Sequence, residues 1–389
     1  MKVKTGADVL AGGGAHPWLS GGARIGLVTN PTGITSDFVS TVDVCAGLAD
    51  TRLTALFACE HGLTGELQAG AAFADSVHPK YGIPVYSLYG AHKKPLPFML
   101  AEVDTIVFDI QDVGVRYYTY ASTLFQMIEA CGEAGKRLLV LDRPNPLGGK
   151  EVEGGLLHEG FKSFVGAWTT PIRTGMTIGE LALLVNAESP VSCSLEVIAM
   201  VGWQRSMAFS ETGLPWMMPS PNMPTVDTVR AYAGTCLFEG TNVSEGRGTT
   251  RPFEWIGAPW INGEQLAEAM QAHGLRGVRF HPVYMTPSFS KYAGELCGGV
   301  RIFVTNEKEF RSVETGLLLL HEAAAAYPEH FKWLEPPRKG SRYFIDLLTG
   351  SVEVRKVIGD GDRLSGLMEI WREQEQEWQE RRSSFLMYD

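Results

Sequence analysis

Glu60 and His61 stand in Cys59-Glu60-His61-Gly62-Leu63-Thr64-Gly65-Glu66, directly after the apolar run 53–59. A carboxyl that follows Phe57-Ala58-Cys59 has apolar neighbours, and burial among them raises its pKa towards what proton donation requires. The glycines beyond it keep the loop open. Three more segments carry groups of the same kind. They are 109–120 (DIQDVGVRYYTY), 142–146 (DRPNP) and 239–252 (EGTNVSEGRGTTRP). Carboxylates, arginines, amides and tyrosines gathered in one cleft suit a sugar. An acid protonates a glycosidic oxygen, a ring stacks on a pyranose face, and amides and arginines hold hydroxyls or a carboxylate. Glu60 is the best placed proton donor. Asp109, Asp112, Glu239 and Glu245 are candidates for the second group. A separation of roughly 5–5.5 Å implies retention through a covalent intermediate, and roughly 6.5–9.5 Å implies inversion through water. In a third route a group of the substrate itself attacks, oriented by an acid such as Asp112. His61, Asp109, Gln111, Arg116, Tyr117, Tyr118, Asn145, Asn242, Arg247 and Arg251 are expected to contact the ligand.

Each of these has a purely structural alternative. Asp109 and Asp112 are also candidates to cap a helix starting near Tyr118. Arg116 could pair with Asp112, and Glu245 with Arg247. The tyrosines are as well suited to packing as to stacking. Asn145, between two prolines, shapes its loop first. The remaining histidines lack metal-ligand spacing.

These segments need a scaffold that brings them to one rim. The runs 24–30, 53–59, 84–90, 104–110 and 137–142 are short, apolar and β-rich, with helical patterns such as 119–135 between them. Continuous apolar strands separated by helices indicate a mainly parallel sheet covered on both faces, whose ligands bind beyond the carboxyl ends of the strands. Thr177-Ile178-Gly179-Glu180 is a capping-box pattern that opens a further helix. The runs 193–200 and 235–242 read as more strands. Between them the proline-dense stretch 215–225 (PWMMPSPNMPT) is a fixed-shape loop of the kind that lines sites. After 260 the pattern changes to helix 263–273, strands near 278–282 and 299–305, helix 312–327 and a charged helix 364–382. The expectation is therefore α/β, with a Rossmann-like domain over 1–260 and a smaller α+β auxiliary domain over 261–389.

The chain has 389 residues, with 34 basic and 44 acidic side chains and a net charge of −10. Its apolar content of 44% excludes intrinsic disorder. The acidic balance argues against nucleic acid and anionic membrane as partners. No apolar run is long enough to span a bilayer, and no signal-peptide core follows Lys2 and Lys4, so the expected location is cytoplasmic. Cys45, Cys59, Cys131, Cys193, Cys236 and Cys297 contain no CxxC pair and are expected to be reduced core thiols. Gly12-Gly13-Gly14 precedes the first strand rather than following it, so it is not a dinucleotide fingerprint. Phosphate-loop and nucleophile-elbow patterns are missing too.

The stretches 26–35 (GLVTNPTGIT), 56–70 (LFACEHGLTGELQAG), 104–124 (DTIVFDIQDVGVRYYTYASTL), 141–149 (LDRPNPLGG), 171–182 (PIRTGMTIGELA), 218–225 (MPSPNMPT) and 237–260 (LFEGTNVSEGRGTTRPFEWIGAPW) resemble the NamZ-type exo-β-N-acetylmuramidases of peptidoglycan. The resemblance covers most of 24–260 and is weaker beyond. It implies a Rossmann-like domain with an α/β auxiliary domain, a site in the cleft between them, and no metal or organic cofactor. The implied activity is release of N-acetylmuramic acid from the non-reducing end of peptidoglycan fragments. The family's catalytic glutamate falls on Glu60. The motifs add Arg173 and Asn222 to the expected ligand contacts, and Arg116, Arg173, Arg247 and Arg251 become candidates to bind the muramic lactyl carboxylate. Thr174 stands where the family usually has histidine. The missing signal peptide departs from secreted members and points to cell-wall recycling of imported muropeptides. The same pocket would also serve a non-catalytic muropeptide-binding protein, or a hexosaminidase for another N-acetylated sugar.

Overall fold

A strand with apolar side chains on both faces is stable only when helices cover both of them. The computed structural model, which describes residues 2–13 and 16–389, meets that need with seven strands. Gly14 of the triglycine lies outside the described residues. The strands are β1 (Ala23–Thr29), β2 (Thr51–Ala58), β3 (Ser76–Val77), β4 (Pro84–Ser87), β5 (Thr105–Asp109), β6 (Arg137–Leu141) and β7 (Ser194–Ile198), in the order β3-β4-β2-β1-β5-β6-β7. All pair in parallel except β3, which runs antiparallel to β4. Alternate residues serve opposite faces. Ile25, Leu27, Leu56, Val107 and Leu139 pack under α1 (Gly6–Ala11) and α2 (Thr41–Gly47). Val28, Phe57, Ile106, Phe108 and Val140 pack under α3 (Thr119–Ala134) and α4 (Ile178–Glu188). The capping box at Thr177 forms, its hydroxyl accepting from Glu180 N–H while the Glu180 carboxylate accepts from Thr177 N–H.

The segment 235–242 is a correction to the expected strand. It is the end of α5 (Val226–Thr235) followed by a 3-10 turn over Cys236–Gly240. Cys236, Leu237 and Phe238 are all buried, and three consecutive apolar residues fit a buried turn as well as a buried strand. Beyond it a second sheet has the order β8-β10-β9 and is antiparallel throughout: β8 (Trp255–Ala258), β9 (Val278–Met285) and β10 (Cys297–Val304). β8 therefore belongs to this sheet although it precedes residue 261. α6 (Gly263–Ala272) covers the sheet. α5 crosses α7 (Ser312–Ala326) at Gly234 and Gly316, where an added Cβ on Gly234 would lie 1.9 Å from the Ser312 carbonyl oxygen. Two short helices, α8 (Phe344–Thr349) and α9 (Glu353–Val357), lead into α10 (Gly361–Arg382).

α10 returns to the first sheet's layer. Trp371 and Trp378 are buried, Trp378 Nε1–H donates to the Thr174 carbonyl, and Arg382 donates to the carbonyls of Gly149, Lys150, Thr174 and Gly175. One apolar core runs through both layers as a result. The six cysteines are unpaired and five are buried, with Cys193 half-buried. Among the described residues no helix is long and apolar enough to cross a membrane.

At the carboxyl ends of β1, β5 and β6 lies a buried ion pair. Asp109, 0% exposed, accepts from Arg143 Nε (2.6 Å) and Nη2 (2.8 Å) and from the Thr41 hydroxyl. Removing one member of such a pair leaves an uncompensated buried charge, at a cost of about 3–5 kcal/mol. Asp109→Ala should lower the free energy of urea unfolding by that amount. KM in the fraction that remains folded should not change. An unchanged urea midpoint would contradict this role.

Candidate active site

Beyond the carboxyl ends of β2 and β4 lies a cavity of about 470 Å³. Its wall is assembled from several parts of the chain. Cys59–Gly62 turns sharply at the end of β2, with positive φ at both His61 (74°) and Gly62 (79°). A non-glycine residue in that region is held there by its surroundings. His61 is held by its Nδ1, which donates to the Leu67 carbonyl at 2.7 Å. Burial pushes the pKa of the ring down, which keeps the imidazole neutral, though its bond to Leu67 and the nearby Glu60 oppose the shift. The turn aims Glu60 into the cavity. Glu60 is 7% exposed, and Gly70 N–H donates to its Oε1 (2.9 Å) while the Thr119 hydroxyl donates to its Oε2 (2.6 Å). Thr119 opens α3 and its N-cap residue Tyr118 offers no side-chain cap, so the carboxyl sits at an uncapped helix N-terminus.

The second carboxyl is Glu239, from the 3-10 turn after α5. Burial pushes its pKa up, against the opposing pull of Arg247, whose Nη2 donates to it at 2.7 Å. Arg247 also lies 3.3 Å from Glu245, and its guanidinium is 4.9 Å over the Phe253 ring. The floor is aromatic: Tyr232 meets Tyr117, Tyr118 and Phe253 edge to face, with centroids 5.5, 5.8 and 4.7 Å apart. The Tyr117 hydroxyl is committed to the Ala233 carbonyl. The buried Tyr118 hydroxyl has no partner among the described residues. The proline-dense loop lines the cavity through Ser220, Asn222 and Met223. It is pinned by Trp216 Nε1–H donating to the Met223 carbonyl (3.0 Å) and by Tyr120 donating to that of Pro219. Asn222 Nδ2 reaches Gln68 Oε1 at 3.2 Å.

Glu60, His61, Tyr117, Tyr118, Asn222, Glu239 and Arg247 are thus brought together, and the other expected contacts lie elsewhere. Asp109 is in its ion pair. Gln111 donates to the carbonyls of Asp112 and Pro144. Arg116 pairs with no acid among the described residues: it donates to the carbonyls of Gly155, Thr170 and Leu348, and burial pushes its pKa down to about 10. Asn145 braces its loop through the Met176 carbonyl and Leu147 N–H. Arg173 pairs with Glu153 (2.7 Å) and faces a different cavity, of about 190 Å³. Asn242 holds the backbone of His330 and Lys332. Glu245 lies behind Arg247 and takes Lys291 at 2.8 Å. Arg251 is half-exposed and 3.6 Å from Glu254. Thr174 is buried beside Asp112 rather than on the large cavity.

Sequence reasoning passed over Tyr89, Lys93, Thr119, Phe164, Tyr232, Phe253 and Phe344, which also line the cavity. Tyr89 and Lys93 had a usable signal, because they follow β4, which ends at Ser87 and whose carboxyl end obeys the same rule as its neighbours. Among the described residues no three His, Cys, Asp or Glu side chains converge as metal ligands.

Asp112 is the buried carboxyl next to this site. Its Oδ2 accepts from Gly114 N–H (2.7 Å), its Oδ1 has no partner among the described residues, and burial pushes its pKa up to about 7. With the folded value above the unfolded ~3.9, the fold holds this proton more tightly. Its stabilisation is complete below pH ~4 and is lost as pH rises towards 7. Asp112→Asn should therefore gain up to ~4 kcal/mol on wild type between pH 4 and pH 8, read from urea unfolding curves. A difference that does not vary with pH would contradict a neutral Asp112.

The model described as exo-β-N-acetylmuramidase NamZ, N-terminal, matches residues 25–227, and that described as its C-terminal counterpart matches 230–388. The chain is 44% identical over 387 residues to the peptidoglycan β-N-acetylmuramidase NamZ of Bacillus subtilis (strain 168), covering 100% of this chain and 92% of that protein. Two crystal structures of DUF1343 family proteins from Bacteroides fragilis superpose on it. One has a TM-score of 0.91 at 33% identity and the other 0.78 at 30%, each covering 100% of this chain and 99% of the other. On matches that span both halves of the sequence, the chain belongs to the NamZ family of exo-β-N-acetylmuramidases.

Proposed function

We propose that this chain is a glycoside hydrolase that releases N-acetylmuramic acid from the non-reducing end of peptidoglycan fragments. In this reading Glu60 donates the proton to the leaving oxygen and Glu239 is the second carboxyl. The observation that carries it is the shared cavity, with two carboxyls over an aromatic floor. Its volume of about 470 Å³ is sufficient for a sugar ring with its substituents. The hydrogen bonds from Gly70 and Thr119 fix the direction of the Glu60 carboxyl, and fixed direction is what acid catalysis needs of its donor. The tyrosine and phenylalanine rings offer a face to the pyranose.

One observation favours an exchange of roles. Burial raises the pKa of Glu239, which suits a proton donor. Leaving-group dependence separates the two. Removing the proton donor costs a rate factor of about 10²–10⁴ on a disaccharide, whose leaving oxygen is basic, and much less on a para-nitrophenyl glycoside. Glu60→Gln should show that pattern with its melting temperature retained. If Glu239→Gln shows it instead, the roles are exchanged. Full activity of Glu60→Gln on both substrates would remove Glu60 from the reaction.

A further inference from the structure

We propose that Lys93 receives the lactyl carboxylate, the group that distinguishes a muramic from a glucosamine residue. This rests on the muramidase reading and assigns its specificity to a lysine of the loop after β4 rather than to an arginine. The charges of the cavity carry the argument. It is lined by two cationic side chains, Arg247 and Lys93. The charge of Arg247 is already answered, by Glu239 at 2.7 Å and Glu245 at 3.3 Å. Lys93 has no carboxylate within 4.0 Å among the described residues. Its ammonium is instead held over aromatic faces, 3.9 Å from the ring centroid of Phe164 and 5.1 Å from that of Tyr89. Rings position a cation without neutralising it.

The neighbouring lysine explains how Lys93 comes to face the cavity. Lys94 is tied to α3 by Glu129 and Glu133, each at 2.9 Å. That double anchor fixes the loop and leaves the adjacent side chain to the site. A placed, unpaired ammonium at the rim of a pocket for a neutral sugar ring is a receptor for one anionic substituent. Lys93 is exposed at that rim, and a carboxylate on an exposed, solvent-screened ammonium changes affinity by about two- to fivefold.

The test is a cycle that removes the charge from either side. The ligands are the methyl β-glycoside of N-acetylmuramic acid and its lactyl methyl ester, and the proteins are the full-length wild type, Lys93→Met and Lys93→Arg. Kd is measured by calorimetry. We expect wild type to prefer the acid over the ester by about two- to fivefold, Lys93→Met to lose that preference, and Lys93→Arg to keep most of it. A Lys93→Met protein that still discriminates acid from ester overturns the assignment. So does equal weakening of both ligands, which would mark the lysine as structural. Turnover is scored separately: a wild type that prefers the acid yet hydrolyses no muraminide would discard the hydrolase reading and leave Lys93 as the anion receptor.

Discussion

A buried guanidinium–carboxylate pair closes the crevice where an open parallel sheet ordinarily takes its ligand. In this strand order the chain winds outwards in both directions from β1 and β5, so the crevice falls at their carboxyl ends. There Asp109 and Arg143 meet, with Thr41 and the Ile34 carbonyl completing their hydrogen bonds. The turn after β1 fills the remaining space: the Thr29 hydroxyl donates to the Asp109 carbonyl, and a Cβ on Gly33 would stand 2.0 Å from that hydroxyl's oxygen. The usable rim is thereby moved to β2 and β4. There the positive-φ turn at His61 aims Glu60 at the start of α3.

A site at that edge is incomplete with the parallel sheet alone. Tyr232, Glu239, Arg247 and Phe253 come from α5 and the segment after it, and Phe344 from α8. Their placement relative to Glu60 depends on how α10 is fastened. Arg382 donates to four carbonyls of the loops that follow β6, and Tyr388 reaches Asp142, which itself accepts from Thr177 and Gly179 at the start of α4. Hydrogen bonds that close around a carboxylate or guanidinium inside a core are costly to leave half-made, so these contacts hold one arrangement of the two layers. The chemistry of the cavity is in this sense set by residues far from it in the sequence.

Most of the scaffold was legible in the sequence. β1, β2, β4, β5, β6, β7, α3 and α4 stand within a few residues of where apolar runs and the Thr177 capping box put them, because parallel strands and amphipathic helices carry strong periodic signals, whereas α2 and the two-residue β3 were not read. The 3-10 turn at 236–240 was not, since its apolar run is too short to declare a period. The site was half legible. Strand-end reading found Glu60 and the proline-dense loop, but it could not tell a strand-end acid that faces a ligand from one that faces an arginine. Asp109 therefore read as a binding group although it is consumed by a buried pair, and Arg173, which the family resemblance supplied, is likewise paired, with Glu153. Tyr232 and Phe253 lie in segments whose composition says core, and only the packing of α5 against α3's approach turns one edge of that core into a wall.

The account stands most directly on one comparison. Wild-type protein is given para-nitrophenyl β-N-acetylmuraminide and the matching β-N-acetylglucosaminide side by side, and nitrophenol release is followed. The account predicts hydrolysis of the muraminide with little or none of the glucosaminide. Hydrolysis of the glucosaminide alone, or of neither by demonstrably folded protein, would contradict it.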